Sequence, residues 1–148
     1  MKKIIIIFSI IILIGTLFFG KKFIFVSEKD RVKKTIKTAV KAVNDKDYHK
    51  FMKQFSIEYR DEYGNTWGTL FFYLKNNLEN YQKVRVSVSN LDVKIEDKIA
   101  LVRLFGKGEA VNSYGEIFRE AGRFIVKLKK EATIWKIIWI EEDKYRFD

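Results

Sequence analysis

The hydrophobic and polar positions divide the chain into an uncharged opening, a section with helical spacing and a section with strand spacing. The opening runs from Ile4 to Gly20, with Lys2 and Lys3 before it and Lys21 and Lys22 behind it. Its 17 residues make a helix about 26 Å long, close to the ~30 Å hydrocarbon core of a bilayer. Such a helix is apolar on every side, as a membrane-spanning helix is. The pattern predicts one transmembrane helix within an N-terminal anchor over residues 1–26.

The same run also fits a secretory signal peptide, which is removed after export. Cleavage requires small residues at the −3 and −1 positions, but Phe18 and Phe25 occupy the −3 positions around Gly20 and Ser27. The pattern therefore favours an anchor that is retained. The excess of Lys and Arg behind the run favours a cytoplasmic C-terminal part, whereas the short basic start is typical of exported chains. Between these two orientations we favour a single-pass protein of the bacterial inner membrane with its C-terminal part exported.

Three helices are predicted between residues 28 and 82. From Glu28 to Val43 apolar residues recur at helical spacing among Lys and Arg, and Asn44-Asp45 ends this helix. A shorter helix has apolar residues at i, i+3, i+4 and i+7, which are Tyr48, Phe51, Met52 and Phe55. Ser56 to Asn65 is predicted to be a connection. Thr66 is a suitable N-cap for a third helix, whose apolar stripe consists of Trp67, Leu70, Phe71, Leu74, Leu78 and Tyr81.

After Gln82 the apolar residues occupy alternate positions, which predicts strands. The alternating residues are Val84, Val86, Val88, Leu91, Val93 and Ile95. A turn at residues 96–98 leads into a strand from Ile99 to Phe105, which Gly106 and Gly108 interrupt or end. Two further strands, 118–128 and 133–141, are joined by a turn at residues 129–132. The predicted class is α+β, with three helices packed on a curved four-stranded antiparallel sheet in one domain over residues 27–148.

Composition excludes several classes of site. The domain has 25 Lys and Arg against 19 Asp and Glu, and the chain has no cysteine, so disulfides, thiol nucleophiles and thiolate metal sites are excluded. The chain contains no HExxH motif, P-loop, GxGxxG motif or acidic Ca²⁺ loop, and we therefore predict no cofactor and no metal site. Nucleic-acid recognition favours Arg forks and exposed stacking aromatics. Because Lys outnumbers Arg by 22 to 7, we predict no nucleic-acid partner.

Three segments carry a resemblance to a known superfamily. The first helix leads into VNDKDYHKFMKQFS and then YRDEYGN, and the last strand is TIWKIIWIEE. In this order of elements, residues 28–143 resemble the nuclear-transport-factor-2-like superfamily, a cone fold shared with ketosteroid isomerase and polyketide cyclases of the SnoaL type. The Asn-Asp-Lys-Asp step and the Trp-Lys-Ile opening of the last strand are its most specific features. The resemblance implies a pocket between sheet and helices but no single function, because one scaffold serves enzymes, transport adaptors and secretion components.

The candidate site follows from this resemblance. Tyr59, Asp61, Tyr63 and Trp67 lie in the connection and at the start of the third helix, and with Phe71 they are expected to line the mouth of the pocket and contact a ligand. Enzymes of the superfamily use a carboxylate base with a Tyr or Asp donor, which makes Asp61 and Tyr59 the candidate catalytic pair. The alternative is that the two tyrosines pack under the loop while Asp61 faces solvent. His49, the only histidine, is interpreted as a surface residue.

The first helix predicts a partner. It carries six basic residues just behind the uncharged run, namely Lys29, Arg31, Lys33, Lys34, Lys37 and Lys41. Basic residues close to a membrane gain about 1 kcal/mol each from anionic lipid, so we expect membrane lipid to contact both Ile4 to Gly20 and this helix. A solvated Lys-rich helix face is the alternative.

Location and fold together favour a membrane-anchored, non-catalytic domain that binds a small apolar ligand or a protein partner at the cell envelope. One alternative is a structural subunit of an envelope or secretion complex, which includes assembly as a homo-oligomer. It would resemble the inner-membrane secretion components that carry this fold behind one N-terminal helix. The other alternative is an isomerase- or cyclase-like enzyme.

Overall fold

The computed structural model describes residues 26–144 and begins with a long amphipathic helix. Helix α1 spans Glu28–Asn44. Ser27 caps its N-terminus by accepting a hydrogen bond from the backbone N–H of Asp30. Three of the apolar side chains at helical spacing, Val32, Ile36 and Ala39, are buried as predicted, and α1 also buries Thr35 and Ala42. The helix ends at Asn44, as predicted.

Two further helices confirm the predicted number. Helix α2 spans Tyr48–Met52, with Asp47 as its N-cap. Helix α3 spans Trp67–Asn77, and Thr66 caps it in a reciprocal hydrogen-bond pair with Thr69. A single 3-10 turn, Leu78–Asn80, follows α3. The predicted cap at Thr66 is confirmed.

The predicted connection between α2 and α3 is wrong over most of its length. Residues Phe55–Asp61 form strand β1, which pairs in parallel with the last strand of the chain. A parallel partner some 80 residues away leaves no hairpin signal in the local sequence. A register shift between Phe55 and Arg60 also breaks the alternation, because Phe55 and Tyr59 are buried while Ile57 is 76% exposed.

The sheet has five strands in the order β1-β5-β4-β3-β2. The four strands after β1 are β2 (Tyr81–Glu96), β3 (Ile99–Asn112), β4 (Ile117–Glu131) and β5 (Ile134–Glu142). These four pair in antiparallel order, as predicted. The α+β class is therefore confirmed, whereas the four-stranded antiparallel sheet is corrected to a five-stranded mixed sheet.

Two predicted strand ends are also corrected. Strand β3 continues past Gly106 and Gly108 to Asn112, because both glycines pair with β2 on one side and β4 on the other. Strand β4 continues to Glu131, so the turn after it is shorter than predicted, with Ala132 at φ 51°. The predicted turn after β2 is confirmed, and Asp97 takes the positive φ of 53° that this tight hairpin requires.

The core lies between α1 and the inner face of the sheet. Its most buried side chains come from α1, β3, β4 and β5, and include Val32, Val102, Leu128 and Trp135. Glu28 holds the start of α1 against this sheet. Its carboxylate accepts a hydrogen bond from Trp135 Nε1 at 2.8 Å and lies 3.0 Å from Lys130 Nζ.

The predicted transmembrane helix, Ile4 to Gly20, lies outside the described residues. None of the helices between residues 26 and 144 has the length and apolar character needed to span a bilayer.

Candidate functional site

An apolar cavity of about 290 Å³ lies between α1 and the inner face of the sheet. Helix α1 forms one wall and strands β2 to β5 form the other. Phe51 and Phe55 close the side between them. The remaining lining is almost entirely aliphatic and consists mainly of Ile36, Ala39, Val40, Val43, Val86, Val88, Leu104, Val126, Ile137 and Ile140. Such a space suits a small hydrophobic molecule.

Small residues on facing walls leave this space open. Ala39 lines the cavity from α1, and Gly106 lines it from β3. The ring of Phe124 lies across Gly106, so that a Cβ added there would stand 3.1 Å from Phe124 Cε2. A side chain at position 106 would therefore push against the Phe124 ring, which also lines the cavity.

Polar groups are confined to the rim. Within residues 26–144, the charged residues that line the cavity are Lys107 and Glu120. Next to them, Arg119 Nε donates to Glu109 Oε2 at 2.9 Å, and this hydrogen bond lowers the pKa of Glu109. The rim is also fixed to α1, since Asn44 Nδ2 donates to the carbonyl of Val86 at 2.9 Å and Asn44 Oδ1 accepts from the Val86 N–H at 2.6 Å.

Of the predicted site residues, Tyr59 is part of the core. Its side chain is only 4% exposed, and its ring meets that of Phe55 edge to face at a centroid distance of 5.0 Å. Burial, and secondly the negative charge of Asp61, raise the pKa of Tyr59 well above its usual range. Tyr59 lines a separate recess near the ends of β4 and β5 and does not line the apolar cavity.

Asp61 holds the turn between β1 and α3. Its Oδ1 accepts hydrogen bonds from the backbone N–H groups of Tyr63 at 2.9 Å and Asn65 at 2.8 Å. Its Oδ2 accepts a third from Asn65 Nδ2 at 2.7 Å. Three local donors therefore occupy this carboxylate, an arrangement that is typical of an aspartate closing a turn.

Glu62 has a role that the sequence did not indicate. Its carboxylate accepts a hydrogen bond from the backbone N–H of Glu142 at 2.9 Å and one from Lys144 Nζ at 3.2 Å. The backbone hydrogen bond is the main reason that the pKa of Glu62 is lowered. It ties the turn after β1 to the end of β5, and no local sequence signal reports such a long-range contact.

The remaining predicted residues lie apart from the cavity. The rings of Trp67 and Phe71 stack at 5.4 Å with an interplanar angle of 5°, and Tyr48 meets Phe71 edge to face at 5.7 Å. We call these three residues the aromatic cluster. None of them lines the apolar cavity. Tyr63 is 75% exposed and shares a recess with Tyr59 and Asp61.

Most residues around the cavity come from predicted elements, but Phe55 belongs to strand β1, which was not predicted. None of the five predicted site residues lines the cavity. The alternation at Val86 and Val88 and the apolar side of α1 indicated which side chains face inward. Hydrophobic periodicity does not indicate where the side chains of two facing elements are too small to contact each other. His49 is exposed and packs beside Tyr48 at a ring distance of 4.3 Å. Within residues 26–144, no group of three or more His, Asp or Glu side chains is placed to hold a metal ion.

Several solved structures share this architecture. A nuclear transport factor 2-like superfamily protein from Salmonella enterica is 16% identical, with a TM-score of 0.66 over 81% of this chain and 93% of that one. A Nostoc punctiforme protein with a cystatin-like fold is 15% identical, with a TM-score of 0.59 over 77% and 90%. A Bdellovibrio bacteriovorus protein, Bd1075, is 14% identical, with a TM-score of 0.67 over 79% of this chain. The chain spans 40% of the length of Bd1075.

These likenesses establish the fold. The chain has the nuclear-transport-factor-2-like cone fold, in which helices cover the inner face of a mixed sheet. No protein-family model and no curated protein sequence matches it.

Proposed function

We propose that this protein is a membrane-anchored, non-catalytic domain that binds a small apolar ligand at the cell envelope. The observation that carries the proposal is the apolar cavity, whose charged residues are limited to Lys107 and Glu120 at the rim. A site of about 290 Å³ lies at the small end of the usual range for ligand pockets, which is roughly 300 to 1,000 Å³. Its lining offers mainly dispersion contacts, which favours binding over catalysis.

The membrane part of the proposal rests on the sequence. The uncharged run from Ile4 to Gly20 serves as a single-pass anchor in the bacterial inner membrane, with the ligand-binding domain exported. The basic residues of α1 then follow the anchor after a few residues and lie within reach of anionic lipid.

A photo-crosslinking experiment on the full-length protein tests the ligand site. The purified protein in lipid nanodiscs is irradiated with a small aryl diazirine, and labelled peptides are mapped by mass spectrometry. We expect labels on the α1 segment 36–43 and on the β2 segment 86–88, because both line the cavity. Labels confined to Ile4 to Gly20 would show that the probe enters only the bilayer and would contradict the proposal.

A pair of variants on α1 sharpens this test. Ala39→Leu adds three carbons inside the cavity and should abolish the labels at 36–43 and 86–88, while the thermal midpoint stays at or above that of the parent. Lys37→Leu adds a leucine on the exposed side of the same helix and should leave the labelling unchanged.

A second candidate is the structural subunit of an envelope complex. It is favoured by three exposed apolar side chains at the β3–β4 turn, since Tyr114 is 88% exposed, Ile117 52% and Phe118 51%. Clusters of this kind mark protein contacts. If the chain assembles through this turn, light scattering of the full-length protein in detergent will give a homo-oligomer that Ile117→Asp dissociates, whereas Ile57→Asp, at an exposed site on β1, will not. A monomer in both the parent and the variants would remove this candidate as a homo-oligomer.

The isomerase- or cyclase-like alternative has less support. Asp61 and Tyr59 border one recess outside the apolar cavity. Three local hydrogen bonds already occupy the Asp61 carboxylate, and Tyr59 is only 4% exposed. A base and a donor that act on one substrate would both have to be open to it.

A further inference from the structure

One side of α1 presents a continuous row of lysines. At about 100° per residue, Lys33, Lys34, Lys37 and Lys41 fall within an arc of about 100° that lies opposite the buried side of the helix. Lys50 of α2 borders the same shallow groove, so that five lysines from two helices share one face. We call this surface the lysine face.

Few acidic groups offset the lysine face. Lys41 Nζ lies 2.7 Å from Asp45 Oδ2. Asp30, which also borders the groove, accepts a hydrogen bond from the Ser27 hydroxyl at 2.7 Å as part of the helix cap. Among the described residues, no carboxylate forms an ion pair with Lys33, Lys34, Lys37 or Lys50. The face therefore carries unbalanced positive charge that an anionic surface would complement.

We infer that α1 lies parallel to an anionic lipid bilayer, with the lysine face against the phosphate headgroups. This inference rests on the membrane anchoring in the proposed function. Lys33 and Lys41 are eight residues apart, or about 12 Å along the helix axis. If α1 stood upright on the membrane, Lys41 would lie more than one Debye length, about 8 Å at physiological salt, beyond Lys33. Only a helix that lies flat brings the whole row to the surface.

The connection to the anchor is short enough to impose this position. Six residue steps separate Gly20, the end of the uncharged run, from Val26, where the described chain begins. Fully extended, they reach at most about 22 Å. The start of α1 therefore stays close to the headgroups. Rotation of the domain about this point brings the lysine face against the headgroups.

A flat α1 determines how the cavity is reached. Ile36 and Ala39 line the cavity from the buried side of α1, so α1 itself separates the cavity from the bilayer. The rim lies at the other end of the helix, where Asn44 is bonded to Val86 and where Lys107 and Glu120 are found. A ligand then enters along the membrane surface, past the C-terminal end of α1.

The absence of cysteine allows a direct test. Two single-cysteine variants of the full-length protein, Thr38→Cys on the lysine face and Ser89→Cys on the opposite side of the sheet, are labelled with a fluorophore and placed in nanodiscs with a spin label in the headgroup region. Ser89 follows Val88, which lines the cavity, and so points to the outer face of the sheet. In nanodiscs with phosphatidylglycerol we expect at least threefold stronger quenching at position 38 than at position 89. The difference should fall when salt is raised to 1 M.

Charge variants complete the design. Lys37→Glu with Lys41→Glu should remove the extra quenching at position 38, whereas Lys75→Glu, an exposed lysine on α3, should leave it unchanged. Equal quenching at the two positions in protein that is still held in the nanodisc would overturn this inference and leave the anchor intact. Protein that does not enter nanodiscs at all would overturn the anchor as well. An oligonucleotide that binds the lysine face without lipid quenching at position 38 would also overturn it.

Discussion

Two apolar regions of the molecule use their space in different ways. In the aromatic cluster, Trp67 and Phe71 stack at 5.4 Å and Tyr48 meets Phe71 edge to face at 5.7 Å, so the three rings pack against one another. Beneath α1, aliphatic side chains and Gly106 leave a cavity of about 290 Å³. Hydrophobicity alone does not distinguish a packing surface from a binding site. The difference lies in whether side chains from facing elements are large enough to meet.

The first prediction tests whether the rings of the aromatic cluster form a packed unit. Phe71→Ala should lower the free energy of unfolding by about 3 kcal/mol, near the lower end of the range for removing a large aromatic side chain, because Phe71 is only partly buried. Chemical denaturation of the full-length protein in detergent measures this loss. Phe72→Ala is the control, since Phe72 is 63% exposed and should cost well under 1 kcal/mol. Similar losses in both variants would show that the cluster is not a packed unit.

The second prediction concerns the turn that positions the cluster. Asp61→Ala removes three hydrogen bonds at the entry to α3 and should cost about 1 to 2 kcal/mol of unfolding free energy. Asp61→Asn keeps an oxygen acceptor for the two backbone N–H groups and should lose about half as much. If both variants keep the stability of the parent, the turn does not depend on this carboxylate, which would then be free for another role.

The third prediction concerns the apolar cavity. Gly106→Ala places a methyl group 3.1 Å from Phe124, and we expect the ring to move into the cavity that it borders. Ligand affinity should fall on the order of five- to tenfold, while the unfolding free energy changes by less than about 1 kcal/mol. Photo-crosslinking at increasing probe concentrations measures the ligand affinity, and chemical denaturation measures the unfolding free energy.

Gly108→Ala is the matched control for this prediction. Gly108 also borders the cavity, but an added Cβ would meet nothing within 4 Å, and affinity should be retained. If Gly106→Ala lowered the unfolding free energy strongly but left ligand affinity unchanged, the side chains around the cavity would not have moved, and the prediction would be wrong.

The smallest expected effect concerns Glu28 at the start of α1. The hydrogen bond from Lys130, followed by that from Trp135, lowers the pKa of Glu28. A lowered pKa in the folded state stabilises the fold above the ordinary glutamate value of 4.5, and this contribution disappears as pH falls through the lowered value.

A comparison of melting curves measures this effect. Glu28→Gln should melt below the parent at neutral pH, and the gap should close as pH falls well below 4.5. Glu79→Gln, an exposed glutamate on the 3-10 turn, should show no such convergence. A gap that stays constant with pH would assign the contribution of Glu28 to packing instead of charge.

The sequence predicted those parts of the fold that local spacing determines. The helical spacing of α1, the cap at Thr66 and the alternation in β2 each depend on residues within one or two turns or strand steps, and each prediction is confirmed. Strand β1 was missed because the strand that it pairs with is β5, so that Phe55 lies beside Ile137, far along the chain. Long-range pairing of this kind leaves no local period.

The candidate site was harder to predict for a related reason. Tyr59 and Trp67 have the residue types expected near a pocket, yet Tyr59 is buried in the core and Trp67 stacks on Phe71. The cavity depends on Ala39 and Gly106, two small residues on different elements whose facing positions become evident only in three dimensions. Alanine and glycine have no functional group, so the sequence alone gives no reason to select them as site residues.

The parallel pairing of β1 with β5 has a consequence for how the protein is made. The chain emerges N-terminus first, so α1, α2 and β1 are available long before Ile134–Glu142, the strand that hydrogen-bonds β1. Until that strand arrives, β1 lacks its parallel partner, and the cavity lacks the wall that Ile137 and Ile140 of β5 provide. The domain therefore closes only after β5 has been synthesised, and a chain truncated before β5 should expose the apolar side of α1 to chaperones and proteases.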